Sequence, residues 1–162
     1  MTTGYLASFE PAMRAAIGQA AAAGRTDVPV GAVILDAAGT VIAGAGNRRE
    51  ADRDPTAHAE IVAIRAAARA VGSWRLSGCA LVVTLEPCTM CAGAVLAARL
   101  GRLVYGAADP QAGAAGSRWD VLHDRGLGGD LEVVGGVLAG ECGALLRDFF
   151  GRLRNSGDNW HG

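Results

Sequence analysis

Glu86-Pro87-Cys88-Thr89-Met90-Cys91 and Pro55-Thr56-Ala57-His58-Ala59-Glu60 share one plan: a strand, a proline, then a helix whose first turn carries side chains able to bind a metal. The apolar run Cys79-Ala-Leu-Val-Val-Thr-Leu85 in front of the first stretch reads as a strand covered on both faces. Pro87 stops it, and an alanine-rich helix follows from about Cys88 to Leu100. The second stretch opens a helix from about His58 to Val71, with Asp54-Pro55-Thr56 supplying its cap.

Outward from these units, Phe9, Met13 and Ile17 recur at steps of four and mark an amphipathic helix ending near Gly24. Val30–Leu35, a turn at Asp36–Gly39, and Val41–Ala43 read as a β-hairpin. Arg102–Gly106 is the next strand, and Leu131–Val134 the last. Between them a glycine-rich loop, 106–117, leads into a short helix expected near Trp119–Leu122. The final helix places Leu145, Leu146, Phe149, Phe150 and Leu153 on one face. Strands alternating with helices predict a layered α/β domain with helices on both faces of one sheet. A hairpin first and helical connections later make that sheet mixed. One domain is expected over 1–154, with 155–162 a mobile tail.

A chain of 162 residues is long enough to bury a core without disulfides. No run reaches the roughly 18 apolar residues of a membrane span, so the expectation is a soluble protein. The start, MTTGYLASFEPAMRAA, lacks a secretory signal, which favours a reducing cytoplasm. There, cysteines 79, 88, 91 and 142 read as two spare thiols and one Cys-x-x-Cys pair. A net charge of −1 excludes a generic nucleic-acid coat. All 15 basic residues are arginine, which a GC-rich genome explains without invoking phosphate binding.

The spacing of His58 and Glu60 is informative, because side chains two apart on a helix do not face each other. They can still converge on an object in front of the helix, and a metal ion qualifies. Cys88 and Cys91, three apart, can grip one ion, and His58 can add a nitrogen. Thiolate with imidazole suits zinc, and helix N-termini favour thiolates. Neither Cys79 nor Cys142 lies near a second ligand, so three protein ligands leave a position for water, the mark of a catalytic site. Glu60 then stands where it can carry protons. Alone, His-Ala-Glu is uninformative, and a Cys-x-x-Cys pair fits a redox couple or half a zinc ribbon equally well.

Together they match His-x-Glu followed by Pro-Cys-x-x-Cys, the described signature of zinc deaminases that act on nucleobases. The chain resembles the cytidine/deoxycytidylate deaminase superfamily and, within it, the bacterial tRNA adenosine deaminase branch. VPVGAVI, GNRRE, DPTAHAEI, VTLEPCTMCAGAV, GAADPQAGAAGS, DVLH and LLRDFF carry the likeness over nearly the whole length. It implies a three-layer α/β/α cytidine-deaminase-like fold with a five-stranded mixed sheet, a homodimer, and Zn2+ as cofactor. It also implies His58, Cys88 and Cys91 as zinc ligands. The implied reaction is attack of metal-activated water on C6 of an adenine, with Glu60 protonating the ring nitrogen and then the leaving amine. Asn47 matches the asparagine that hydrogen-bonds the base, the Ala59 backbone faces it, Asp109 lies near the flipped nucleotide, and Phe149 or Phe150 closes the pocket. Asp109 could equally shape a turn before Pro110, and both phenylalanines could be core. The implied substrate is a tRNA anticodon loop, whose unstacked wobble base is accessible at low cost.

Two features depart from the pattern: Ala107-Ala108 stands where an arginine is expected before Asp109, and the last helix ends at Arg152-Leu-Arg154 without a long basic extension. Both lower the phosphate-neutralising charge, leaving Arg48, Arg49, Arg53 and Arg118 to flank the mouth. Two rival readings follow, a deaminase of a free base, nucleoside or nucleotide, and a non-catalytic zinc-stabilised RNA-binding module. His123 and His161 read as surface residues, and Trp74, Trp119 and Trp160 form no stacking ladder. The glycine-rich loop lacks the P-loop pattern.

Overall fold

Along the central strands successive side chains belong to opposite layers. Val33, Leu35, Ala80, Val82, Val104 and Val134 share one buried cluster, whereas Ala32, Ile34, Leu81, Val83 and Leu103 share the other. Period-two alternation in which both phases are apolar requires a sheet covered on both sides. The computed structural model, which describes residues 3–124 and 130–156, shows that sheet and its covers.

In chain order the elements are α1 (Thr3–Ala7), α2 (Glu10–Ala21), β1 (Gly31–Leu35), β2 (Val41–Gly46), α3 (Arg49–Asp52), α4 (Ala59–Val71), β3 (Ala80–Leu85), α5 (Thr89–Ala97), β4 (Arg102–Ala107), β5 (Glu132–Gly135) and α6 (Ala139–Ser156). The strand order is β2-β1-β3-β4-β5. β1 is antiparallel to both β2 and β3, and β3, β4 and β5 run parallel. Met13 and Ala16 of α2 and Cys142 of α6 cover one face. Ala59, Ala63 and Ala67 of α4, with Ala92 and Val95 of α5, cover the other. This is the expected three-layer α/β/α arrangement with a five-stranded mixed sheet. No described helix is long and apolar enough to cross a membrane.

Small residues set the layer spacing. A Cβ on Gly31 would lie 1.9 Å from the Ala16 carbonyl oxygen and 2.3 Å from the Ala20 nitrogen, so α2 can approach β1 this closely only over a glycine. Gly106 does the same for α6, where an added Cβ would lie 2.4 Å from Cys142 Sγ.

Several local expectations differ from the structure. Phe9 stands before α2 rather than inside it, because Pro11 sits in the first turn, where its missing N–H costs nothing. Asp54 does not cap α4, since its Oδ1 accepts from the Thr56 N–H at 2.8 Å and the Thr56 hydroxyl at 2.7 Å, closing its own turn. No helix forms at Trp119–Leu122. The chain instead makes a bridge between Ala115 and Asp120, and the Gly116 N–H donates to the Trp119 carbonyl at 2.9 Å. Asn155 and Ser156 belong to α6, while the rest of the expected tail, with Trp160 and His161, lies outside the described residues.

Candidate active site

β3 ends at Leu85, and three residues later Cys88 stands at the N-cap of α5, with Cys91 in the first turn. His58 occupies the N-cap of α4. Neither His58 nor Cys88 makes a side-chain cap hydrogen bond, so both side chains are free to turn forward. The α4 start is capped from elsewhere, by Asn47 Oδ1 accepting the Ala59 N–H at 2.9 Å.

His58 Nδ1 lies 3.5 Å from Cys91 Sγ and 3.7 Å from Cys88 Sγ. The three donor atoms lie within 4.8 Å of one another and form the one such group among the described residues. Bonds of about 2.3 Å to sulfur and 2.0 Å to nitrogen at tetrahedral angles separate N from S by about 3.5 Å, so the donors fit zinc. Cys79 and Cys142 are buried elsewhere as free thiols and take no part.

Cys88 and Cys91 face each other within the donor group. The Cys91 thiol bonding to Cys88, helped by His58 and opposed by burial, lowers the Cys88 pKa to about 4. Cys91 is driven upward by that same bond and by burial. Bonding to Cys88 raises the pKa of His58. Glu60 is 4% exposed, and burial raises its proton affinity. Glu60 lines the same cleft as His58 and Cys88, so it faces the donor cluster despite the short sequence spacing.

Beside the cluster lies a cleft of about 150 Å³, lined by Val28, Val30, Asn47, Arg49, His58, Glu60, Leu85, Glu86, Cys88, Asp109 and Ala112. A cavity near that size accepts a single aromatic ring. A larger cavity, about 550 Å³, sits at the other end of β3 near Cys79 and Arg102 and holds none of these groups.

The cleft brings Asn47, His58, Glu60, Cys88 and Asp109 together. Asp109 also shapes its turn, its Oδ1 accepting from the Gln111 N–H at 2.9 Å and the Ala112 N–H at 3.2 Å. Ala59 is fully buried and its N–H is already engaged by Asn47. Phe149 and Phe150 do not line the cleft; they pack edge to face with centroids 5.3 Å apart, and Phe149 is buried. Phe150 beside it is half-buried.

Glu86 was not singled out by the sequence. It is 2% exposed and accepts from the N–H groups of Asp109 at 3.0 Å, Ala115 at 2.9 Å and Ser117 at 3.0 Å, and from the Ser117 hydroxyl. One carboxylate thus ties the 109–117 loop to the end of β3 and holds Asp109 and Ala112 against the cleft. A charged residue directly after a buried apolar strand was the available signal.

The profile described as the cytidine and deoxycytidylate deaminase zinc-binding region matches residues 7–107. The chain belongs to this deaminase family. The tRNA-specific adenosine deaminase of Haemophilus influenzae is 48% identical to it over 128 residues, covering 79% of this chain and 74% of that protein. A Deinococcus radiodurans protein named tRNA(Ile)-lysidine synthase is 50% identical over 147 residues, 88% of this chain, and the deaminase spans only 25% of that protein's length. Among solved structures, one from studies of A-to-I editing by tRNA:A34 deaminases at the wobble position of transfer RNA aligns with a TM-score of 0.79 and 45% identity. It covers 83% of this chain and 97% of the other. The deaminase therefore uses zinc, the metal its family region is described by and its imidazole–thiolate donor set suits.

Proposed function

We propose that this deaminase hydrolyses adenosine to inosine in tRNA, at the wobble position of the anticodon loop, as a cytoplasmic homodimer. The observation that carries the chemistry is the placement of His58, Cys88 and Cys91 at zinc-binding distances, with buried Glu60 beside them, at the wall of a cleft of about 150 Å³. Its likeness to tRNA-specific adenosine deaminases supports the substrate. The anticodon position, the dimer and the compartment follow from the same resemblance.

His58, Cys88 and Cys91 would hold the zinc, which when bound would supply the Lewis acidity that activates water at neutral pH. Glu60 takes the proton of the attacking water, passes it to the ring nitrogen, and returns a proton to the amine as the C6–N bond breaks. Adenosine and water become inosine and ammonia. Burial strengthens the hold of Glu60 on that proton. Asn47 has its carbonyl oxygen committed to Ala59, which leaves its amide NH2 to bond the base.

The test is inosine mapping in tRNA after incubation with the purified, zinc-loaded protein. Inosine at the first anticodon position is expected. Ammonia release from free bases or nucleosides, with no inosine in any tRNA, would replace the reading with a small-molecule deaminase, which the net charge of −1 also suits.

A further inference from the structure

Among the described residues, one buried side-chain nitrogen or oxygen lacks a hydrogen-bond partner: Arg49 Nε. A buried donor left unmade is costly, more so on a charged group, and calls for an explanation. Arg49 begins the short α3, two residues after Asn47, and lines the same cleft as His58 and Glu60. It makes no ion pair with any described residue. Its neighbours differ: Arg48 is bound by Asp52 through Nε at 2.8 Å and Nη2 at 2.6 Å, and Arg65 lies 3.8 Å from Asp54. The cleft wall therefore holds a cation for which no described residue provides a counterion.

A base inserted into this cleft leaves its sugar and flanking phosphates at the mouth. We propose that Arg49 binds a backbone phosphate next to the target adenosine, a group that a guanidinium holds through charge-assisted N–H bonds. This rests on the tRNA reading and deepens it. Arg49 neutralises a charge that a free nucleoside lacks, so it selects a nucleotide within a strand. It also compensates, at the cleft itself, for the arginine missing before Asp109.

The experiment compares the zinc-loaded full chain with its Arg49→Gln and Arg49→Lys variants on an anticodon stem-loop RNA over a range of salt. Arg49→Gln is expected to raise KM by about 10-fold, the scale of a charge-assisted contact, with kcat reduced less than about twofold. The slope of log KM against log salt should flatten by about 0.7, the value for one phosphate contact on a single strand. Arg49→Lys should restore most of the slope and only part of KM. A stem-loop with methylphosphonate linkages flanking the target adenosine should weaken binding to the unmodified protein and cost Arg49→Gln nothing further, a readout available even if one variant fails to fold. Unchanged KM and slope overturn the proposal, as does a loss confined to kcat, or additive losses from the variant and the neutral linkage. If the unmodified protein makes no inosine in the RNA but deaminates free nucleosides, the tRNA reading fails instead, and the two failures are distinct.

Discussion

Replacing Glu86 by Gln tests whether one carboxylate builds the far wall of the cleft. Glu86 Oε2 accepts from the Asp109 N–H, and Oε1 from the Ala115 and Ser117 N–H groups. Glutamine has one acceptor oxygen and one NH2 group. Its oxygen can keep Ala115 and Ser117, but its nitrogen then faces the Asp109 N–H, donor against donor. A flip moves the conflict to the other pair. One orphaned donor costs about 1–3 kcal/mol, and replacing charge-assisted bonds by neutral ones adds roughly 1 kcal/mol more. Gly113 prevents an easy rearrangement, since even a Cβ there would lie 2.5 Å from the Glu86 carboxyl carbon. The loss should therefore be about 3 kcal/mol, or roughly 6–12 °C in Tm for a chain of this size. Because Asp109 and Ala112 line the cleft, KM for the RNA should rise while bound zinc stays stoichiometric.

The same side chain gives a pH signature. Burial pushes the Glu86 carboxyl up, but the bonds from Ser117, Asp109 and Ala115 outweigh it and hold the group below its ordinary value of 4.5. A depressed folded pKa means stability that is present above that ordinary value and lost as pH falls through the folded one. Urea unfolding from pH 7 down to 3 should show the gap between the unmodified protein and Glu86→Gln narrowing once the pH passes below 4.5. A variant that melts within about 2 °C of the unmodified protein, with unchanged KM, refutes the assignment of the loop to this carboxylate.

Other substitutions probe the remaining links. Glu60→Gln should lower kcat by at least about 10²–10⁴-fold, the range of general acid–base catalysis, while zinc content and Tm hold; retained turnover would remove Glu60 from the mechanism. In chelator at pH 6, iodoacetamide should alkylate Cys88, whose pKa is about 4, ahead of Cys142, which burial pushes up to about 11, and zinc should protect it. Peptide mass spectrometry showing Cys79 or Cys142 modified first contradicts the site electrostatics. Gly31→Ala, forced against the α2 backbone, should cost about 1–3 kcal/mol or more, whereas Gly18→Ala, with nothing within 4 Å of the added Cβ, should gain about 0.4–1 kcal/mol; equal melting curves would sink the close-approach account.

How much of this was legible depends on how local each cause is. β3 showed itself because Ala80 to Val83 alternate between two apolar layers and Pro87 ends the run soon after. The β1–β2 hairpin and α4 showed for similar reasons, and His58, Cys88 and Cys91 through residue type and spacing. Hidden were the effects of distant partners. The loop at Trp119–Leu122 looks helical until Glu86, about thirty residues earlier, takes the Ala115 and Ser117 N–H groups. The α4 cap looked local at Asp54, yet it comes from Asn47. Phe149 and Phe150 fit either core or cleft wall on pattern alone, and in the fold neither lines the cleft.

The helix starts carry the remaining step. An N-cap position favours Ser, Thr, Asp or Asn, whose oxygen binds a first-turn N–H. Here α4 and α5 begin with His58 and Cys88, and neither uses its side chain that way. Departures from local rules concentrate where function demands them. Imidazole and thiolate face forward because they serve an ion in front of both helices, and the positive helix end favours the thiolate form of Cys88. The α4 first turn still needs a partner for its N–H, and Asn47 provides it from the cleft side with its carbonyl oxygen. That single bond fixes the orientation of the Asn47 amide, so its NH2 must point away from Ala59. Capping by the carbonyl oxygen leaves the Asn47 NH2 free at the cleft wall, and here asparagine differs from aspartate: the carboxylate could cap the helix equally well but would have no donor left to offer the base of the proposed substrate.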